Sequence, residues 1–127
     1  MRELWMIGVA GALGAMSRYG ISLAAVRFGE DGWPTATFIA NLLGCLLLGL
    51  LAEALQLREV VNRELGLALT VGFLGAFTTF STFGLETVRL MERGEGALAM
   101  LYVGLSVVLG CALCFAGVRL ARGLWGA

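Results

Sequence analysis

The chain has 127 residues, 59% of them hydrophobic and 14% charged, with nine basic side chains balanced by nine acidic ones and no histidine; its mean hydropathy is +0.89. That composition describes an integral membrane protein, and the absence of a basic surface argues against nucleic acid as a partner. Cys45, Cys111 and Cys114 all lie in apolar segments, where a thiol packs as a small hydrophobe, so no disulfide framework, redox pair or soft-metal centre is expected.

Four apolar runs follow in chain order, at 4–26, 35–55, 65–90 and 97–120. Each is long enough to cross about 30 Å of hydrocarbon. The first exceeds a signal peptide in length, contains Arg18 and precedes three further spans, so it is expected to remain in the mature protein. Short charged segments separate the runs: RFGEDGWP, with Gly29, Gly32 and the one proline; the amphipathic QLREVVNRE; and the tight polar turn MERGEG. The expected architecture is all-α, one four-helix transmembrane domain over residues 1–127.

Loop arginines are nearly balanced. The side with both termini and the second loop carries Arg2, Arg58, Arg63, Arg119 and Arg122, and the opposite side carries Arg27, Arg89 and Arg93. Orientation follows the excess of basic residues in short loops, so this difference specifies it weakly and insertion in both directions is expected. Glycine and alanine along each span favour close helix contact, and four helices are too few to enclose an aqueous path. An oligomer, in the simplest case a dimer, follows.

The polar residues inside the spans carry the functional reading. In the first span, Gly11, Ala15 and Arg18 lie near one another, and Arg18 either snorkels to an interface or faces a vestibule. In the second, Thr37 and Asn41 are spaced i, i+4, and Gly44 and Cys45 continue the face. In the third, Gly72, Gly75 and Ala76 precede the paired Thr78 and Thr79, so helix propensity falls at mid-membrane and an interruption is expected between Gly75 and Thr79. Carbonyls exposed there suit a cation, and the new helix N-terminus favours an anion. On an ideal helix Thr79, Phe80, Thr82, Phe83 and Glu86 share one arc, and Ser81 adds a further hydroxyl. In the fourth span, Tyr102, Ser106 and Gly110 recur at i+4, with hydroxyls able to reach the third. Glu53 and the loop charges read as interfacial solvation. Hydroxyls, an amide and the positive edges of phenylalanine rings suit a small anion, because they replace its hydration without a trapping charge.

Three of these stretches carry a resemblance. GALGAMSRYG (11–20), TFIANLLGCLLLG (37–49) and GFLGAFTTFSTFGLE (72–86) resemble the signatures of the Fluc (CrcB) fluoride-channel family, in the family's order, and the likeness extends over all four helices. Ala10 and Ala36 depart from it, standing where the family usually has glycine, but both remain small. The resemblance implies an antiparallel, dual-topology homodimer of four-helix protomers with a broken third helix, two fluoride pores and a central structural sodium ion. By motif position Phe80 and Phe83 would be the pore aromatics, Asn41 an anion-coordinating amide and Arg18 the vestibule arginine. Carbonyls of Gly75 and Thr78 would hold the sodium, and Ser81, Thr82, Glu86, Tyr102 and Ser106 resemble the polar residues near the pores, beside Thr37 of the second signature. Implied with them are passive fluoride export across the bacterial inner membrane, lipid and a second copy as partners, and no catalysis. Two other classes fit four apolar helices: a small multidrug exporter, which expects an essential glutamate inside its first span, where this chain has only Glu3 at the entrance, and a noncatalytic assembly subunit.

Overall fold

The computed structural model describes residues 1–27, 32–57 and 62–126. Gly29, Arg58 and the middle of the amphipathic second connection, residues 58–61, lie outside them. Helix α1 runs Arg2–Arg27, α2 Thr35–Leu57, α3 Arg63–Leu67, α4 Gly75–Phe77, α5 Phe80–Glu92 and α6 Gly96–Trp125, with a π-helical run at Ala68–Leu74 joining α3 to α4. No strand occurs among the described residues. Four stretches are long and apolar enough to cross a membrane: α1, α2, the composite Arg63–Glu92 and α6. The protein is therefore a multi-pass, all-helical membrane protein. Its helices extend past the apolar runs because Arg2, Arg119 and Arg122 end the hydropathy without ending the hydrogen-bond ladder.

Two helix-packing units make up the interior, α1 against the third span and α2 against α6. Both depend on missing side chains. A Cβ at Gly14 would overlap the Phe73 carbonyl, and one at Gly72 would lie 2.7 Å from the Ile7 carbonyl oxygen. Added Cβ atoms at Gly49 and Gly117 would likewise strike the backbones of Cys114 and Leu46. Such backbone-to-backbone approach is how helices gain dispersion contact in lipid, where there is no hydrophobic drive between them.

Within the third span, the Gly75 N–H reaches the Thr70 carbonyl, an i→i+5 bond that closes the π-helical run. Such runs hold an extra residue per turn and recur at functional sites. Gly75 to Phe77 are then helical, so the weak helix formers Gly75 and Ala76 do not themselves depart from the helix. Thr78 (φ −88°, ψ 157°) and Thr79 (φ −150°, ψ 120°) are extended, and α5 begins at Phe80. Thr79 thus serves as N-cap of α5 rather than as a member of its helical arc: its hydroxyl accepts the Thr82 N–H at 3.2 Å.

At the far end of α5 the MERGEG turn is a Schellman cap. Gly94 has φ +79°, the Gly94 N–H bonds the Met91 carbonyl at 3.0 Å and the Glu95 N–H bonds the Leu90 carbonyl at 2.9 Å. Two ion pairs tie the opposite end of the bundle, Arg122 to Glu53 at 2.7 Å and Arg2 to Glu64 at 3.4 Å. Glu53 is therefore an interhelical ion-pair partner with a side chain only 13% exposed, rather than a solvated interfacial charge.

Candidate functional site

The extended residues of the third span are held by groups from elsewhere in the chain. Asn41 on α2 accepts the Thr79 N–H through Oδ1 at 2.8 Å and donates Nδ2 to the Thr79 carbonyl at 3.0 Å. This pairing fixes the amide orientation, because a backbone N–H can only donate and a carbonyl can only accept. Arg18 on α1, half-buried, donates its Nε to the Ala76 carbonyl at 3.2 Å. Thr79 and Thr82 share a second contact, hydroxyl to hydroxyl at 3.0 Å, and Ser81 Oγ lies 3.4 Å from Thr79 Oγ1.

These choices leave carbonyls behind. In a continuous helix the Thr79 N–H would close on Gly75 and the Thr82 N–H on Thr78. Here the first goes to Asn41 and the second to the Thr79 hydroxyl. The carbonyls of Gly75 and Thr78 have lost their helical donors, and Gly75 is exposed on the protomer surface.

Beside this point lies an open groove of about 330 Å³, lined by Asn41, Thr78, Phe80, Phe83 and Ser106 among others. Phe80 is 85% exposed, so its ring projects from the protomer into the groove's mouth. Phe83 sits behind it with ring centroids 5.8 Å apart and is in turn 5.1 Å from the ring of Tyr102. Ser106 Oγ is buried and has no hydrogen-bond partner among the described residues. Of the fourth-span hydroxyls expected to reach the third span, Tyr102 does so and Ser106 does not.

Tyr102, with no exposed surface, donates its hydroxyl to Glu86 Oε2 at 2.8 Å. Thr37, also buried, donates to Glu86 Oε1 at 2.7 Å. Each carboxylate oxygen therefore has its own hydroxyl donor, which is how an acidic group is accommodated at membrane depth. Beyond Glu86 a second cavity of about 360 Å³ opens between Trp33, Pro34, Arg89 and Arg93. Trp33 and Phe38 complete an aromatic cluster around Tyr102, with Trp33 edge-on at 5.4 Å and Phe38 tilted at 6.3 Å. Neither residue stands out in sequence, because Trp33 lies in a connection and Phe38 is one apolar residue within an apolar run.

The structure thus gathers Thr37, Asn41, Thr78, Thr82, Phe83, Glu86, Tyr102 and Ser106 on and around α5, with Arg18 and Gly75 near the Thr78–Thr79 end; Phe80 and Ser81 lie at the start of the same helix but are exposed on the protomer surface. The three cysteines are free thiols, and among the described residues no cluster of three or more acidic or cysteine side chains could hold a metal.

Residues 5–118 match the family described as CrcB-like protein, Camphor Resistance (CrcB). Among similar proteins, a fluoride-specific ion channel FluC of Nitratidesulfovibrio vulgaris strain Miyazaki F is 40% identical over 122 residues, covering 96% of this chain and 98% of its own. Proteins of the same name from Caulobacter sp. strain K31 and Paracoccus denitrificans are 44% and 45% identical, covering 96% and 94% of this chain and equal shares of theirs. With its three signatures in order and a match over nearly its whole length, the chain belongs to the CrcB-like, or Fluc, family.

Proposed function

We propose that the protein is a fluoride-selective passive channel that lets fluoride leave the bacterial cytoplasm across the inner membrane. The observation that carries this reading is the groove in which the Phe80 and Phe83 rings, hydroxyl groups and the Asn41 amide converge without a basic side chain in its lining. It occurs in a chain whose relatives over nearly full length are named fluoride-specific ion channels. Asn41 uses one of its two Nδ2 hydrogens on Thr79, so the other is available to an anion. The unpartnered Ser106 hydroxyl offers a second donor beside Phe83. From there the path runs past Tyr102 and Glu86 to the cavity at Arg89 and Arg93. Ring edges and neutral donors replace water around a small anion without holding it, which permits rapid transit. No catalytic chemistry is involved.

An open groove and an exposed Phe80 are incomplete as a pore wall. We assign the missing wall to a second copy in antiparallel orientation, giving two pores per homodimer, and this fits the weak bias of the loop arginines. In that assembly the Gly75 and Thr78 carbonyls of both copies would hold one structural sodium ion. The donor set suits a hard cation, being oxygen only and free of amide partners, and the ion would supply charge that cross-links the two interrupted spans.

The test is fluoride efflux from liposomes containing only the purified protein. Fluoride release well above that of empty vesicles supports the channel. No release from a well-folded preparation would leave the assembly-subunit reading in its place.

A further inference from the structure

Among the described residues the Arg18 side chain makes one hydrogen bond, from Nε to the carbonyl of Ala76 at 3.2 Å, across 58 residues of sequence. In an unbroken helix the Ala76 carbonyl would receive the N–H of Phe80. The extended Thr78 and Thr79 carry Phe80 off that path, so the carbonyl needs another donor at a depth where water is scarce. The side chain's height is set by packing. Gly14 lies one turn before Arg18 on the same face of α1, and its missing side chain lets α1 press on the backbone of Phe73. With that register locked, the nitrogen nearest the main chain meets Ala76, two residues before the first extended one.

We propose that Arg18 is a positioning residue: it maintains the interruption of the third span by covering the Ala76 carbonyl, and this tie, rather than an attracting charge in a vestibule, is its contribution to anion passage. The inference rests on the channel reading given above. Loss of the tie exposes a carbonyl that can recover its donor only if Thr78 and Thr79 rewind toward helix. Rewinding would rotate Phe80 and Phe83 and withdraw the Thr79 backbone from Asn41.

Side-chain chemistry separates tie from charge. Glutamine carries its amide nitrogen directly after Cδ, where arginine carries Nε, so Arg18→Gln keeps the donor and removes the charge. Lysine keeps the charge but places its nitrogen one atom further out, and methionine provides neither. The experiment compares wild type, Arg18→Gln, Arg18→Lys and Arg18→Met in liposomes. Initial fluoride efflux is measured over a range of fluoride concentrations, and amide hydrogen exchange is followed at residues 77–83 in the same preparations.

Arg18→Gln should keep most of the wild-type rate and protection. Arg18→Met should lose about tenfold in maximal rate, a loss that raising fluoride does not recover, with faster exchange at 80–82. Arg18→Lys should fall below Arg18→Gln. The reverse order would overturn the proposal: Arg18→Lys near wild type, and Arg18→Gln as slow as Arg18→Met with the deficit recovered at high fluoride. If Arg18→Met does not fold, the order of the other two variants decides. If wild type itself passes no fluoride, the channel reading fails, and exchange alone judges the tie. Protection in Arg18→Gln exceeding that in Arg18→Lys would sustain it, and equal protection in all variants would reject it.

Discussion

Asn41 and Thr79 exchange two hydrogen bonds, N–H to Oδ1 at 2.8 Å and Nδ2 to carbonyl at 3.0 Å, so one side chain on α2 satisfies both backbone groups of an extended residue in the third span. The pairing explains how a non-helical residue persists at membrane depth. It also ties the groove-lining Asn41 amide to the residue that caps α5, so the amide and the Phe80 and Phe83 rings are positioned together.

Asn41→Asp should therefore damage both roles. The carboxylate still accepts the Thr79 N–H, but it faces the Thr79 carbonyl with no proton to donate and repels an anion in the groove. A stability loss of about 1–3 kcal/mol is expected from the lost hydrogen bond and the carboxylate oxygen left facing that carbonyl. Thermal unfolding in detergent and fluoride efflux should both fall, and a variant with full flux would show that the amide touches no permeating ion.

Glu86 connects Thr37 and Tyr102, which donate to separate oxygens of one carboxylate. Thr37→Val and Tyr102→Phe should each cost about 1–3 kcal/mol by leaving one oxygen without its donor. The double variant should depart from the sum of the singles, because both donors bond the same side-chain group. Strict additivity in thermal unfolding would mean the two bonds are independent.

Much of this was legible in the sequence, for identifiable reasons. The four spans appear as apolar runs because hydropathy is a local property, and the hydroxyl-rich TTFSTF stretch is conspicuous because such residues are out of place in lipid. Propensity pointed to Gly75 as a start of the interruption, yet Gly75 to Phe77 are helical and only Thr78 and Thr79 extend. The deciding partners, Asn41 and Arg18, come from other helices, and propensity does not register them. The π-helical run at Ala68–Leu74 likewise has no local signature and occurs where α1 presses on Gly72. Glu53 was indistinguishable from a solvated charge until α6 brought Arg122 against it.

The proposed sodium site makes a distinction between side chain and backbone. Thr78→Ala removes only a hydroxyl that bonds the Leu74 carbonyl at 3.0 Å, and should be mild. Thr78→Pro removes the Thr78 N–H bond to the same carbonyl and disfavours the helical Phe77 before it, and should abolish flux. A Cβ added at Gly75 makes only ordinary contact within the protomer, with Thr70 O at 3.8 Å. Gly75→Ala should therefore leave the protomer intact, and a loss of dimer stability in that variant would place its effect at the partner copy. Flux and dimer stability unchanged by complete sodium removal would contradict the site.

The proposed dual orientation predicts that tags on the C-terminus are accessible from both sides of the membrane in comparable amounts. Adding several arginines to one terminus should bias insertion and reduce flux, since antiparallel pairs need both topologies. A single orientation in a fully active protein would require a parallel assembly.

The central claim is that aromatic edges and neutral donors select fluoride, and it is tested most directly by measuring fluoride and chloride efflux side by side from liposomes of wild type, Phe80→Ile and Phe83→Ile. Isoleucine keeps much of the bulk and loses the electropositive ring edge. Wild type should release fluoride and almost no chloride, and each variant should pass fluoride at least about tenfold more slowly, a barrier increase of about 1.4 kcal/mol. Phe80→Ile should do so with no loss of protomer stability, because its ring is exposed. Equal passage of the two anions in wild type, or wild-type fluoride rates in both variants, would contradict the account.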